Sequence, residues 1–426
     1  MAGNCEIFQS PGKGNGLRAT RDLTVSEMVI STEPFVYTAC HGKTRGATCH
    51  YCLRRSKKLQ RCSQCKFAQY CNSVCQRNAW KDHKRECRCL KSVYPNIPTD
   101  SVRLISRIIF KLLENPACSS GELYSIHDLQ SHVQELREEM KEGLGHLAAT
   151  LEQYLKTEIQ DSTQLPPGFH IFEYFSKVTC NSFTISDGEL QDVGVGLYPS
   201  MSLLNHSCDP NCVIVFEGTC LQLRTVKKIT KGQEMTISYI DVKMPTHQRQ
   251  AQLNRQYCFS CDCHRCLTKD KDEDMLAGDI EISKEVECSI KTLEELHSQN
   301  KGGEVLTLCR KLINDSGLPD KNIYLLKVLD LAMDSCINSE MWEEALKFGL
   351  QTLEPYSLYY SSYHPVRAIQ MMKVGKLQLH MGLFSQAMDT LKQAFEIMKV
   401  SHGRNHSMTR DLTELLRDCE MGLRTA

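Results

Sequence analysis

Apolar positions recur at helical spacing through "VRLISRIIFKLLEN" (102–115) and "HVQELREEMKEGLGHLAATLEQYLKTEI" (132–159), so the pattern predicts helices within 100–178, with a stop at "LPPGF". After the charged linker "KDKDEDMLAGD" (269–279) the helical spacing resumes and holds to the end of the chain. There "MWEEALKFGLQTL" and "LFSQAMDTLKQAF" align at a shift of about 42, pairing Trp342 with Phe384, Ala345 with Ala387, Leu346 with Met388 and His364 with His406. Small residues facing large ones at this period predict helix hairpins like tetratricopeptide units, with a fainter copy around "GEVLTLCRKLI". Such repeats serve equally as a concave peptide groove or as a packed lid over a cleft. Elsewhere the pattern is that of strands. One run reads as buried strand and ends abruptly in "LLNHSCDPNC" (203–212), where polar and metal-capable groups stand side by side.

Length changes this picture little: 426 residues predict two to four domains, each with a core. The formal charge is zero, which excludes a generic nucleic-acid or membrane binder. "MAGNCEIFQSPGKGNG" has no signal-peptide pattern, Ala2 excludes myristoylation, and no apolar run approaches the ~20 residues of a membrane span. A soluble, intracellular protein without membrane contact is expected. In that compartment 23 cysteines point to metal or thiol chemistry instead of disulfides.

Spacing separates these cysteines into sites. Between Thr48 and Leu90 lie four pairs: Cys49 and Cys52, Cys62 and Cys65, Cys71 and Cys75, His83 and Cys87. Tetrahedral zinc takes two such pairs, so eight ligands make two closed, structural sites. The short intervals favour cross-bracing, first pair with third and second with fourth. Arg54, Arg55, Lys57, Lys58, Arg61, Lys66, Arg77, Lys81, Lys84, Arg85, Arg88 and Lys91 surround them against Asp82 and Glu86 alone. That face suits phosphates without reading sequence, or is simply solvated. A second group, "YCFSCDCHRC", lacks a fourth local ligand if Cys261, Cys263 and Cys266 share one zinc. Cys208 is the candidate; the alternative keeps Cys258 as ligand and Cys208 as a core thiol.

"GKGNGLRA", "TCNSF" (179–183), "VGVGLYPSMSLLNHSCDPNC" and "EMTISYID", followed by the cysteine-rich loop, together resemble a SET-domain protein lysine methyltransferase. With a finger like the MYND type, down to its "QRNAWKDHKREC" helix, the order resembles the SET-and-MYND family over nearly the whole chain. The resemblance implies an α+β fold. A β-rich SET core (1–45 and 180–245) is interrupted by the MYND zinc finger (46–90) and a helical insert (91–179). A zinc-binding post-SET loop (246–270) and a helical TPR-like C-terminal domain (271–426) follow. It further implies S-adenosylmethionine as cofactor beside three zinc ions, lysines of histone and non-histone proteins as substrates, and nuclear and cytoplasmic residence. MYND fingers often bind proline-rich peptides, an alternative to DNA at the basic face. The expected state is a monomer.

Residue by residue, the resemblance implies cofactor contacts at Asn181, Asn205 and His206, with Phe183 in the lysine channel and Phe259 over the adenine. Glycine at "KGNG" allows close backbone approach, so Lys13, Gly14 and Asn15 join them. Tyr124 of "ELYSIHDLQSH" fits a cofactor contact too, but His132 stands where the family pattern has Asn and would make that contact through its backbone or its ring. The chemistry itself needs a neutral lysine amine, favoured by an apolar aromatic tunnel. Tyr239 is the catalytic candidate, a strand tyrosine orienting the amine and contacting the cofactor, with Tyr257 completing an aromatic wall. Two other classes remain at this point. A silent transcriptional scaffold or corepressor would have no need of the intact set Asn205, His206, Tyr239 and Phe183, and a cross-braced ubiquitin ligase would leave "NHSC" unexplained.

Overall fold

The computed structural model describes residues 3–41, 47–115, 123–299 and 301–425. The expected joint between first strands and finger, at 45–46, and the stretch 116–122 of the insert lie outside the described residues. The fold is α+β, and its sheets are small. Cys5–Ser10 pairs antiparallel with Gly14–Ala19. Val36–Ala39, Asp192–Leu197 and Ser182–Ser186 form one three-stranded sheet, and Cys212–Glu217, Cys220–Thr225 and Met28–Thr32 another. Alternation explains the latter: along Cys220–Thr225, Leu221 and Leu223 are fully buried while their neighbours are half-buried. Asn205–His206 lies parallel to Thr236–Ile237, which seats the "NHSC" segment against the strand before Tyr239.

The pairing of Val36–Ala39 with Gly194–Leu197 accounts for the interruptions. Finger and insert leave the sheet after Ala39 and return at Ser182, so both are excursions between strands of one sheet. The finger consists of two short hairpins and the helix α1 (Ser73–Val93), capped by the Asn72 side chain. The insert holds α2 (Asp100–Glu114), α3 (Glu138–Leu155) and α4 (Ile171–Asn181).

Three expectations shift. The second helix starts at Glu138 instead of His132, because His132 is left-handed (φ 51) and Val133–Glu135 forms only one 3-10 turn. A further helix, α4, lies beyond "LPPGF", where Tyr174, Phe175 and Val178 bury one face. The buried strand before "NHSC" ends at Leu197 and passes into a 3-10 turn at Pro199–Leu203, and Tyr239 sits in a bend just beyond its strand.

α2 is not a simple amphipathic helix. Arg103 and Arg107 are buried and grip Glu86 of α1, Arg103 Nε donating to Oε1 at 3.1 Å and Arg107 Nη2 to Oε2 at 2.5 Å. Nη1 of Arg103 reaches the carbonyl of Ala39 (3.1 Å) and Nη1 of Arg107 that of Tyr37 (2.8 Å), so one carboxylate ties finger, insert and core strand together. Burial alone would raise Glu86; the two guanidinium groups hold it well below the usual carboxylate range.

Seven helices, from Ile280–Ser298 to Ser407–Thr425, complete the described chain. The shift of 42 is visible as geometry. Trp342 and Phe384 open equivalent helices, Ala345 and Ala387 are fully buried, and His364 and His406 each accept from the backbone N–H two residues on. The fainter copy is the helix pair Gly302–Asp315 and Ile323–Asn338. Contacts seat these helices on the core: His406 Nε2 with the Phe216 carbonyl (3.0 Å), Ser26 Oγ donating to the Lys399 carbonyl (2.9 Å), and Lys243 Nζ with Asp330 (2.9 Å).

Candidate active site and metal centres

α5 (Thr246–Tyr257) ends at Cys258, whose left-handed backbone (φ 59) turns the chain into the cysteine loop. Cys261, Cys263 and Cys266 meet Cys208 there, with all four Sγ atoms within 4.8 Å of one another. In the finger, Cys49, Cys52, Cys71 and Cys75 form one such group and Cys62, Cys65, His83 and Cys87 another. Neighbouring donor atoms stand 3.6 Å (Cys52 and Cys71), 3.7 Å (Cys62 and Cys87; Cys65 and His83 Nε2) and 3.5 Å (Cys208 and Cys266) apart. A tetrahedron with ~2.3 Å metal–sulfur bonds has edges of about 3.8 Å, and a disulfide needs ~2.05 Å. The spacing therefore fits a tetrahedral ion and not oxidation.

Charge agrees with spacing. Hydrogen bonds from Cys208 and Cys261 pull Cys263 far below the ordinary thiol range, and Cys208 is driven far above it by Cys261 and Cys263. Four sulfurs compete for protons that a divalent cation would replace. The surroundings are built for thiolates as well. Buried Arg249 points Nη2 at Cys266 Sγ (3.6 Å), and Gln250 clamps Cys261 through Nε2 to its carbonyl (2.7 Å) and Oε1 from its N–H (2.8 Å).

Next to this loop the parallel strand pair sets His206. The Tyr239 N–H donates to His206 Nδ1 at 2.9 Å, which leaves the ring proton on Nε2, 3.3 Å from Cys208 Sγ. The rings of His206, Tyr239, Tyr257 and Phe259 cluster, with centroids 4.9 Å apart for Tyr239 and Tyr257, 5.2 Å for His206 and Tyr239, and 5.9 Å for His206 and Phe259. The Tyr239 hydroxyl donates to the Leu204 carbonyl at 2.6 Å. Burial, then Tyr257 and Glu234, raise its pKa, so it stays protonated at neutral pH, and burial pushes Tyr257 up to about 12.

A second cluster centres on Asn15. Its Nδ2 donates to the Tyr124 hydroxyl (3.1 Å) and its carbonyl accepts from Asn205 Nδ2 (3.3 Å), which also donates to Glu234 Oε1 (2.8 Å). Gly14 beside it is left-handed (φ +75) with open space where a Cβ would stand. Lys13 reaches Asp262 of the cysteine loop (3.5 Å). These donors, carbonyls and aromatic faces, with no strong nucleophile among them, suit a sulfonium-bearing nucleoside.

A SET-domain family model matches residues 14–240. The chain is 54% identical to "Histone-lysine N-methyltransferase SMYD3" of Mus musculus and 53% identical to that of Homo sapiens, each over 423 residues and 99% of both chains. It is 33% identical to "N-lysine methyltransferase SMYD2-B" of Danio rerio, over 97% of this chain and 98% of that one. The chain belongs to the SET-and-MYND family of protein lysine methyltransferases.

As a SET-domain enzyme it takes its methyl group from S-adenosylmethionine. Other residues expected at a SET site have partners of their own. Asn181 closes α4, its Nδ2 donating to the carbonyls of Lys177 (2.8 Å) and Gln130 (2.9 Å). Phe183 faces Tyr198, centroids 5.8 Å apart. The His132 ring takes Glu135 as partner, Nδ1 3.2 Å from Oε1. Cys258 stands apart from the four-sulfur group, near His132 and Glu135 instead.

Sequence reasoning missed Glu234, Gln250, Arg249 and Asp262. Glu234 opens the quoted "EMTISYID", but nothing local marks a carboxylate as a partner for a distant amide. A cavity of about 740 Å³ between Glu189, Trp342, Lys373 and His380 shares no residue with the aromatic or Asn15 clusters.

Proposed function

We propose that the chain methylates lysine side chains of histone and non-histone proteins, with Tyr239, Tyr257 and Phe183 around the amine and Lys13, Gly14, Asn15, Tyr124, His132, Asn181, Asn205, His206, Tyr239 and Phe259 around the cofactor. The observation that carries this placement is the ring cluster of His206, Tyr239, Tyr257 and Phe259, joined through Tyr239 and Leu204 to the Asn205 network. When bound, S-adenosylmethionine supplies an electrophilic methyl beside a positive sulfonium. The chain's residues prepare the amine. A lysine is ordinarily protonated at neutral pH (pKa ~10.4), and an aromatic, low-dielectric wall favours its neutral form. Tyr239 keeps its proton engaged on the Leu204 carbonyl, so its oxygen lone pairs can accept from the amine and fix its direction. It acts by orientation and not as a base. Tyr257 presents a face that tolerates a methylated, cationic product.

In this reading the finger (46–90), the insert (91–179) and the C-terminal helices (271–426) surround a divided core, and three zinc ions occupy the three ligand groups. The enzyme acts as a monomer in cytoplasm and nucleus. The finger's outer face binds a proline-rich peptide or DNA through Arg54, Lys57, Lys58, Arg61, Lys66 and Arg77, which are exposed. That face is smaller than charge counting implies, because Arg85 and Arg88 pair with Glu158, and Arg55 with Asp187 and Glu189. Buried Glu86 is not on it at all.

The test is transfer of labelled methyl to a protein extract by wild type, Tyr239→Phe and His206→Ala. Wild type should label lysine, and Tyr239→Phe should be slower by about 10²-fold at unchanged zinc content, the cost of misdirecting a reacting group. Equal labelling by both would remove Tyr239 from the reaction.

A further inference from the structure

We propose that His132, Glu135 and Cys258 form a fourth divalent-metal site, of zinc type, that staples the helical insert to the cysteine loop beside the aromatic cluster. The three ligand atoms come from two segments distant in sequence and lie within 4.8 Å of one another. His132 Nδ1 and Glu135 Oε1 are 3.2 Å apart, close to the edge of a tetrahedron with ~2.0 Å metal–ligand bonds. One imidazole, one carboxylate and one thiolate are a borderline donor set that suits zinc and leaves a fourth position to water. This differs from the three closed groups, whose ligands are buried or half-buried: here one ligand is exposed, the His132 and Glu135 side chains being 29% and 56% exposed. The site is reachable by an exchangeable ion.

The surroundings favour such an ion. Burial raises the Cys258 thiol, and the neighbouring Glu135 carboxylate raises it further by repelling a thiolate. A divalent cation would reconcile the two negative groups. Binding then releases the proton of the Cys258 thiol as its sulfur takes the ion beside Glu135 and His132 Nδ1. Cys180 is not among the three donors that meet there.

Cys258 lies between Tyr257, whose ring is 4.9 Å from Tyr239, and Phe259, whose ring is 5.9 Å from His206. An ion there fixes the backbone from which both rings extend, and so slows cofactor exchange. That last consequence rests on the cofactor placement proposed above; the site itself does not.

The test uses the full chain, washed with a mild chelator and then dialysed against Zn²⁺, with zinc counted by elemental analysis and free thiols mapped by native alkylation. Zn²⁺ should add one ion per chain, release one proton and protect Cys258 from alkylation. Cys258→Ser and His132→Asn should lose that ion while retaining the tightly held zinc of the washed wild type, which reports an intact fold. No added ion in wild type, or an added ion that persists in Cys258→Ser, would overturn the site. Release of labelled cofactor, with and without Zn²⁺, separates the two readings: a bound fourth ion with unchanged release keeps the metal site and removes Phe259 from the cofactor.

Discussion

Gly16 packs directly against the Asn205–Glu234 pair. A Cβ placed on it would stand 2.8 Å from Glu234 Oε1, 2.9 Å from Asn205 Nδ2 and 3.0 Å from Phe8. Because Asn205 is held by both Glu234 and the Asn15 carbonyl, neither amide nor carboxylate can move without breaking a hydrogen bond. Gly16→Ala should therefore cost about 1–3 kcal/mol, as overpacking does, and weaken S-adenosylmethionine binding more than it lowers the melting temperature. Calorimetric titration beside thermal unfolding checks this; unchanged affinity would detach Asn205 from the cofactor. At this scale the sequence was readable where a residue type is rare for its place. The Asn-His pair and the spaced cysteines stood out against a strand pattern, and ligand arithmetic pointed to Cys208, whose sulfur the fold brings to those of Cys261, Cys263 and Cys266. Gly16 was passed over because its neighbour Glu234 comes from far along the chain, and His132 was placed without its partner Glu135 for want of the turn that brings them together.

Elements carry charges that periodicity misplaces. Arg103 and Arg107 stand four apart on α2, and Glu86 of α1 was counted with the charges around the finger, yet all three are buried together. Two arginines four residues apart can either face water or grip one carboxylate, and the pattern of a single helix does not distinguish these. Glu86→Ala should destabilise by about 3–5 kcal/mol by leaving two buried cations unpaired, measured by urea unfolding; a loss under 1 kcal/mol would mean water enters in its place. The last helix corner is sensitive to acid instead. His402 is buried, its Nδ1 is 2.9 Å from Ser401 Oγ, and burial, then His406 and Arg224, lower it to about 3. His406 and Glu217 face the same corner, 3.4 Å apart. A folded pKa below the unfolded ~6.5 means that the unfolded chain binds the extra proton, so stability is full above pH 6.5 and falls as pH drops. Between pH 6.5 and 5 this one ring should remove about 2 kcal/mol, and His402→Gln should flatten that slope in pH-dependent unfolding.

For the whole molecule the informative residue is Cys208, which sits at the meeting point of three parts. Its sulfur joins the "NHSC" strand to the cysteine loop, Arg265 of that loop donates to the carbonyls of Cys208 (3.4 Å), Tyr359 (3.3 Å) and Val242 (2.9 Å), and Cys208 shares a buried cluster with Leu326 and Tyr359 of the C-terminal helices. The order of parts was legible because each announces itself by a different period: paired cysteines, helical spacing, then a repeat. How they close on one another was not, since Arg265 and Tyr359 belong to unrelated patterns. Cys208→Ser tests that closure. Three thiolates without the fourth should bind zinc far more weakly, so elemental analysis should fall from three ions to two at chelator levels that spare the finger. Hydrogen exchange should then rise across 258–268 and at Tyr359, while α1 and its zinc groups keep their protection. Retention of three ions would show that another donor completes the site. Loss of protection in α1 as well would show that finger and loop unfold as one unit.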